Sequence, residues 1–104
     1  MKLYLAGPMT GYKDLNFPHF HAVADLLRRQ GHEVINPAEV NSDPTMAWED
    51  CMRKDIAVLV TCEGIALLDG WEKSRGATLE HHIARSLSMH VLCAYELTET
   101  GVPA

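Results

Sequence analysis

Short apolar runs alternate with amphipathic segments along the whole chain, and this alternation restricts the possible folds more than any other feature. The apolar runs have the length and the flanking turn residues of buried strands, and they lie at residues 3–6, 32–36, 64–68 and 90–95. The segments between them carry apolar residues at helical spacing, and they lie at residues 17–31, 46–60 and about 76–89. Strands that alternate with helices predict right-handed crossovers and a parallel sheet covered on both faces. We therefore predict an α/β fold, a three-layer Rossmann-like or flavodoxin-like domain with a four- to five-stranded parallel sheet.

Length and charge limit the number of domains and the kinds of partner. A chain of 104 residues is near the common size of one domain, and we predict a single domain over residues 1–104. The formal net charge is -5, and the few basic residues, such as Arg28 and Arg29, form no stripe. Because binding to a phosphate backbone requires clustered Lys and Arg, we expect no nucleic acid polymer as a partner.

The cysteines, histidines and apolar segments favour a cytoplasmic protein without a metal. The three cysteines, Cys51, Cys62 and Cys93, lack CxxC spacing and favour free thiols over disulfides or a zinc site. The six histidines show no metal-binding pattern. No segment approaches the roughly 20 apolar residues of a membrane span, and the N-terminal apolar run is too short for a signal peptide. We expect a cytoplasmic location, no cofactor and no membrane partner.

The ends of three predicted strands mark the expected ligand crevice. In open α/β sheets the ligand lies beyond the carboxyl ends of the strands, which here are residues 7–11, the segment after Asn36 and residues 69–76. The first segment is neither a GxGxxG motif nor a Walker sequence, so it supports neither a dinucleotide site nor a P-loop. Its small residues still allow a ligand to approach the backbone.

Two predicted helices each carry one acid on an otherwise apolar face. Helical spacing places Asp55 on the buried face of the second long helix and Glu80 on the buried face of the third. Because an isolated buried charge is costly, such acids belong either to structural ion pairs or to functional clefts. For Asp55, a structural pair with Arg53, Lys54 or another helix is about as well supported as a functional role. Two such acids, one of them beside a ligand-side loop, favour function.

Glu80 has the position expected of a nucleophile. It lies in the opening turns of a helix that follows Gly76, where backbone amides favour a negative charge, so we expect an ionised carboxylate. Cleavage at a glycosidic carbon requires a carboxylate on one face of the sugar and a second acid or donor near the leaving group. Glu80 and Asp55 fit these two roles.

Three segments of the chain together resemble a known enzyme superfamily. The segments are Tyr4-Leu5-Ala6-Gly7-Pro8, Asp55 and Ser74-Arg75-Gly76-Ala77-Thr78-Leu79-Glu80. In their order and spacing they are similar to the nucleoside 2-deoxyribosyltransferase superfamily. The resemblance spans about residues 2–95 and is greatest to a branch of short phage and bacterial proteins of uncharacterised function. It implies a nucleoside deoxyribosyltransferase-like domain in which Glu80 forms a glycosyl-enzyme intermediate and Asp55 holds or protonates the departing base. It also implies that Tyr4 orients Glu80.

The resemblance further indicates a phosphorylated substrate. Ser74, six residues before Glu80, resembles the serine that contacts the 5′-phosphate in the deoxynucleoside 5′-monophosphate N-glycosidase branch, whereas the transferases tend to have an aspartate there. Ser74 is equally well explained as the N-cap of its helix, and one serine can do both. The neighbouring Arg75 is more often a solvated arginine than a phosphate ligand.

Small and loop residues at the strand ends complete the predicted site. The predicted substrate-binding residues are Gly7, Pro8, Met9, Ser74, Gly76, Asp69 and Trp71. For two of them a structural role is favoured. Asp69 begins an Asp-Gly turn signal, and the ring of Trp71 is suited to cover the end of the sheet, although it can also stack on a base.

The predicted activity is cleavage or transfer of the N-glycosidic bond of a (deoxy)nucleoside 5′-monophosphate or nucleoside through Glu80. Water as acceptor gives a hydrolase and a second base gives a transferase, and short motifs do not decide between them. The alternatives are a catalytically inactive nucleotide-binding module of the same fold and a scaffold without a ligand. One subunit of 104 residues has little material with which to enclose a nucleotide, so we expect a homo-oligomer, a dimer or tetramer.

Overall fold

Four strands and four helices make up the regular structure of residues 1–40 and 45–94, the part of the chain that the computed structural model describes. The strands are β1 (Lys2–Ala6), β2 (Glu33–Ile35), β3 (Gly64–Leu67) and β4 (His90–Cys93). The helices are α1 (Phe17–Arg29), α2 (Pro37–Val40), α3 (Trp48–Leu59) and α4 (Arg75–Ser86). Short 3-10 turns at Lys13–Asn16 and Trp71–Lys73 precede α1 and α4.

The strands form one parallel sheet in the order β2-β1-β3-β4, with helices against its faces. This confirms the predicted flavodoxin-like α/β fold, with four strands in the described residues. β1 is central, and its Tyr4 lies opposite Ile35 of β2 and Ile65 of β3. Because all four strands run in the same direction, their carboxyl ends lie along one edge of the sheet.

Successive side chains of β1 enter two different cores. Leu3 and Leu5 belong to the cluster that α1 covers, whereas Tyr4 and Ala6 belong to the cluster that α3 and α4 cover. Side chains of a strand alternate between the two faces of its sheet, so the register of β1 fixes this division. Tyr4 is therefore directed between the sheet and the two helices that carry the predicted acids.

Helix α2 is the main difference from the elements predicted from sequence. The strand pattern that ends at Asn36 predicts a loop there, but the Asn36 side-chain oxygen accepts a hydrogen bond from the Ala38 backbone N–H at 3.0 Å. With Pro37 at the first helical position, this cap is enough to start a short helix.

Element ends also differ at the third long helix. Helix α4 ends at Ser86 rather than near Met89, because Ser88 has a positive φ of 57° and cannot continue a right-handed helix. Residues 41–44 and 95–104 lie outside the described residues, and with them the end of the last predicted strand. Among the helices of the two described ranges, none has the length and apolarity needed to cross a membrane.

Candidate active site

A cavity of about 1060 Å³ opens at the carboxyl edge of the sheet, where the sequence predicts the ligand crevice. Its walls come from the end of β1 and the segment after it, the start of α1, the first two-thirds of α3 and the first half of α4. The predicted residues that line it are Tyr4, Gly7, Pro8, Met9, Asp55, Ser74, Gly76 and Glu80. The fold thus gathers most of the predicted site into one space, which has the size of a small-molecule pocket.

The centre of this space is a buried tyrosine beside two buried acids. The Tyr4 hydroxyl donates a hydrogen bond to Glu80 Oε2 at 2.5 Å. The exposed fraction is 0% for Tyr4, 5% for Glu80 and 8% for Asp55. Tyr4 reaches the acids because β1 directs it to the face that α3 and α4 cover. The two residues joined by this hydrogen bond are 76 positions apart in the sequence, so the fold alone brings them together.

Burial dominates the electrostatics of Glu80. It raises the pKa of this carboxyl from 4.5 to about 8, and the negative charge of Asp55 acts in the same direction. The hydrogen bond from Tyr4 opposes this rise, because it favours the ionised carboxylate. The expectation that the start of α4 keeps Glu80 ionised is therefore wrong. Glu80 is the sixth residue of α4, and the effect of the helix N-terminus is confined to the first turn.

The phenol of Tyr4 is held in its neutral form. Burial raises its pKa well above 10.0, and the charges of Glu80 and Asp55 raise it further. Hydrogen bonding of the phenol to both acids also contributes to this rise. Tyr4 thus keeps its proton and serves as a hydrogen-bond donor beside the two carboxyl groups.

The neighbouring cations Arg53 and Lys54 do not support a structural ion pair with Asp55. Arg53 forms an exposed ion pair with Asp50, at 3.7 Å, one turn along α3. Lys54 is exposed, whereas Asp55, about 100° further around the helix, is buried. The charge of Asp55 raises the pKa of both Tyr4 and Glu80, so Asp55 belongs to the same buried group as these two residues.

Ser74 caps helix α4. Its Oγ accepts a hydrogen bond from the Ala77 backbone N–H at 3.1 Å, and the residue also lines the cavity. The structural explanation of Ser74 is therefore confirmed, and the phosphate contact stays a prediction. Gly76, in the first turn, allows α4 to approach α3 closely, because a Cβ there would lie 3.2 Å from the Met52 sulfur.

Two predicted binding residues lie outside the cavity wall. Asp69 is exposed in the turn that Gly70 makes possible with its φ of +86°. The ring of Trp71 packs on that of His81, with centroids 4.4 Å apart, and against the core between the sheet and α3 and α4. This packing corresponds to the favoured structural interpretation, in which Trp71 covers the end of the sheet.

The cavity also contains residues that are not among the predicted site residues. Trp48, the first residue of α3, lines it, and the Arg75 guanidinium lies 3.7 Å from the centre of the Trp48 ring. Lys73 lines the same side. Helical spacing indicates Trp48 only as a member of an apolar face, and no sequence signal pairs it with a residue 27 positions away.

The sequence model of a family described as a domain of unknown function (DUF4406) matches residues 1–93. The chain belongs to the DUF4406 family. No curated protein matches it.

The fold of this DUF4406 member is similar to that of a solved 2-deoxyribosyltransferase from the psychrotolerant bacterium Bacillus psychrosaccharolyticus, with a TM-score of 0.68 and 20% sequence identity. The alignment covers 88% of this chain and 69% of that enzyme. At this identity the similarity shows a shared fold. It agrees, at the level of fold, with the resemblance carried by the three sequence segments.

Proposed function

We propose that this protein cleaves the N-glycosidic bond of a (deoxy)nucleoside 5′-monophosphate or nucleoside and passes the sugar to water or to a second base. Glu80 is the nucleophile, Asp55 protonates or holds the departing base, and Tyr4 positions Glu80. The observation that carries the proposal is the buried hydrogen bond from Tyr4 to Glu80, beside Asp55, inside a cavity large enough for a nucleotide. The shared fold with a 2-deoxyribosyltransferase supports it.

Two carboxyl groups are sufficient for the first chemical step. An ionised Glu80 oxygen attacks the anomeric carbon, and the bond from that carbon to the base nitrogen breaks with its electron pair on the base. A protonated Asp55 gives its proton to the departing base. The step leaves a glycosyl ester on Glu80, a neutral free base and an ionised Asp55.

The second step releases the sugar. Water or a second base attacks the anomeric carbon, and the ester bond breaks so that Glu80 leaves as a carboxylate. The proton lost by the attacking water or base passes to Asp55. The protonation of both acids is then the same as before the first step.

The raised pKa of Glu80 indicates which of the two acids carries the proton before the reaction begins. A pair of carboxyls with such a pKa holds one proton near neutral pH, and in the free protein burial keeps it on Glu80. The proposed reaction requires it on Asp55. The Tyr4 hydroxyl interacts with both acids, so it offers a path by which substrate binding moves the proton from one to the other.

The test is release of free base, measured by chromatography, from a panel of ribo- and deoxynucleosides and their 5′-monophosphates. Each reaction is run with and without a second base. We expect release with the wild type and none with Glu80→Gln or Glu80→Ala. Glu72→Gln is the matched control, because Glu72 is exposed and lies outside the cavity wall. Exchange of bases identifies a transferase, and release into water alone identifies a hydrolase.

One observation favours a second candidate function, a nucleotide-binding module without turnover. With a pKa of about 8, Glu80 is mostly protonated at pH 7, and a protonated carboxyl is a poor nucleophile. In that case nucleotides bind to the folded wild type, but no base is released from any substrate between pH 6 and pH 9. Release in any part of this range that depends on Glu80 contradicts the binding module.

We also propose that the protein is a homo-oligomer, a dimer or tetramer, in which a second subunit helps to enclose the cavity. The cavity opens at the sheet edge, and a single short chain has limited material with which to close it. Light scattering coupled to size exclusion measures the mass in solution. A monomer at the concentrations used for activity contradicts this proposal.

A further inference from the structure

We propose that Trp48 holds the Arg75 guanidinium at the cavity wall, and that this pair makes the site select substrates with a 5′-phosphate over the corresponding nucleosides. The inference rests on the proposed function, because it concerns the substrate of the same cavity. It goes further in naming one of two substrate classes and two residues that decide between them.

The position of Arg75 is defined by an aromatic contact rather than by an acid. Its guanidinium lies 3.7 Å from the centre of the Trp48 ring, which is a cation–π contact. Within residues 1–40 and 45–94, neither Arg75 nor Lys73 forms an ion pair. Stacking orients the planar fork of an arginine and leaves its N–H groups available to a ligand. The positive charge is thus held in place but not neutralised.

The contact exists because two helices begin side by side. Trp48 is the first residue of α3 and Arg75 is the first residue of α4. Gly76, the next residue, allows α4 to lie close against α3, since a Cβ at this position would lie 3.2 Å from the sulfur of Met52. Both partners of the contact line the cavity. The pair is therefore built by the packing of these helices and is part of the cavity wall.

The distribution of charge in the cavity matches the two ends of a nucleotide. Lys73, in the turn before α4, and Arg75, the first residue of α4, line the same cavity as Glu80, which lies five residues after Arg75 and about 7.5 Å further along the helix axis. In a nucleoside 5′-monophosphate, the phosphate is separated from the anomeric carbon by the sugar and one methylene group. We expect a nucleotide bound with its anomeric carbon at Glu80 to direct its phosphate toward these two cations in the same cavity. A nucleoside lacks the phosphate group that would contact these cations.

Binding affinity tests this inference without requiring turnover. Calorimetric titration in the Glu80→Gln background compares each deoxynucleoside with its own 5′-monophosphate, so that the substrate is not consumed. We expect the nucleotide to bind at least tenfold more tightly. Arg75→Gln should lower this ratio by about tenfold or more, because charge-assisted hydrogen bonds to the phosphate are lost. Arg75→Lys should restore part of it, since an ammonium keeps the charge but not the fork.

The variants of Trp48 separate a positioning role from simple contact with the base. Trp48→Leu should lower the ratio by about two- to fivefold, the value of an exposed cation–π contact, and Trp48→Phe should lower it less. If Trp48 only stacks on the base, Trp48→Leu weakens both ligands equally and leaves the ratio unchanged. Arg53→Gln is the matched control, because it removes an arginine charge that lies outside the cavity wall.

Two results overturn the inference. One is that the folded Glu80→Gln protein binds nucleotide and nucleoside equally tightly, or binds neither of them. The other is a ratio that Arg75→Gln leaves unchanged. Base release by the protein with Glu80 intact is measured separately. If the ratio behaves as expected and no base is released, only the proposed reaction fails. If nucleosides and nucleotides are cleaved equally well, only the selection of phosphate fails.

Discussion

Replacement of Glu80 by glutamine is expected to stabilise the folded protein at neutral and alkaline pH. Glutamine has the shape of the protonated carboxyl and can still accept a hydrogen bond from Tyr4, but it never carries a charge. Wild-type Glu80 must lose its proton as the pH rises, inside a site where it is 5% exposed and close to the charge of Asp55. The substitution therefore removes a buried negative charge without creating a cavity.

The size of the effect follows from the pKa. A rise from 4.5 in the unfolded chain to about 8 in the folded protein corresponds to about 5 kcal/mol between the two protonation states. Because the folded pKa is the higher one, the protonated carboxyl contributes its full stability below pH 4.5. This stability is lost as the pH rises through the folded value of about 8. By linkage, the wild type should lose about 1 kcal/mol by pH 5 and about 3 kcal/mol by pH 7, losses that Glu80→Gln does not share.

The assay is urea unfolding of both proteins at intervals from pH 5 to pH 9. The quantity of interest is the difference between their free energies of unfolding, because groups that titrate equally in both proteins cancel. It should grow by about 3 kcal/mol between pH 5 and pH 8 in favour of Glu80→Gln. Glu72→Gln, at an exposed position, should show no such trend. Parallel curves for the wild type and Glu80→Gln would refute the raised pKa and with it the shared proton.

Three further substitutions test other parts of the site. Tyr4→Phe removes the hydrogen bond that lowers the pKa of Glu80, so base release at pH 7 should fall roughly tenfold and its acid limb should move to higher pH. Glu72→Gln, at an exposed position outside the cavity wall, is again the control, and an unmoved acid limb contradicts the role of Tyr4. Ser74→Ala removes the cap of α4 and should cost about 1 kcal/mol in chemical unfolding, whereas Ser86→Ala, which removes a hydroxyl near the other end of the helix, should cost little. Gly7→Ala places a Cβ 2.7 Å from the Leu68 Cβ and should cost about 1–3 kcal/mol. Gly76→Ala should cost less because its tightest contact is with the flexible Met52 side chain, and equal costs would show that the close approach at Gly7 is not rigid.

Much of the fold could be predicted because its signals are local. The run that includes Leu3 and Leu5, bounded by glycine and proline, is sufficient to indicate a buried strand, and the helical spacing of α1, α3 and α4 is regular. Alternation then limits the topology to parallel arrangements. Helix α2 was missed because it depends on one hydrogen bond that the Asn36 side chain accepts from the Ala38 backbone N–H, and a helix of four residues has too few positions to show a period.

Candidate site residues could be predicted from helical spacing only where they interrupt an otherwise apolar helix face. An acid among apolar neighbours identifies Asp55 and Glu80, because a periodic pattern makes an exception visible. The contact between Trp48 and Arg75 has no such signature. An aromatic residue on an apolar face and an arginine at a helix start are both ordinary by themselves, and their meeting depends on how closely α3 and α4 pack.

The ionisation of Glu80 shows why position along a helix is a weaker guide than depth in the fold. The sequence places this acid near a helix start, which favours charge, but that influence decays within one turn and Glu80 lies beyond it. Burial against the sheet acts on the side chain wherever it stands on the helix, and the nearby charge of Asp55 adds to it. Only the Tyr4 hydrogen bond opposes both effects, and Tyr4 is present because β1 pairs in the register that places Leu3 in one core and Tyr4 in the other. A shift of that register by one residue would withdraw the phenol and leave the two acids without their shared donor. The chemistry of the site is therefore set by strand pairing on a segment that contains neither acid.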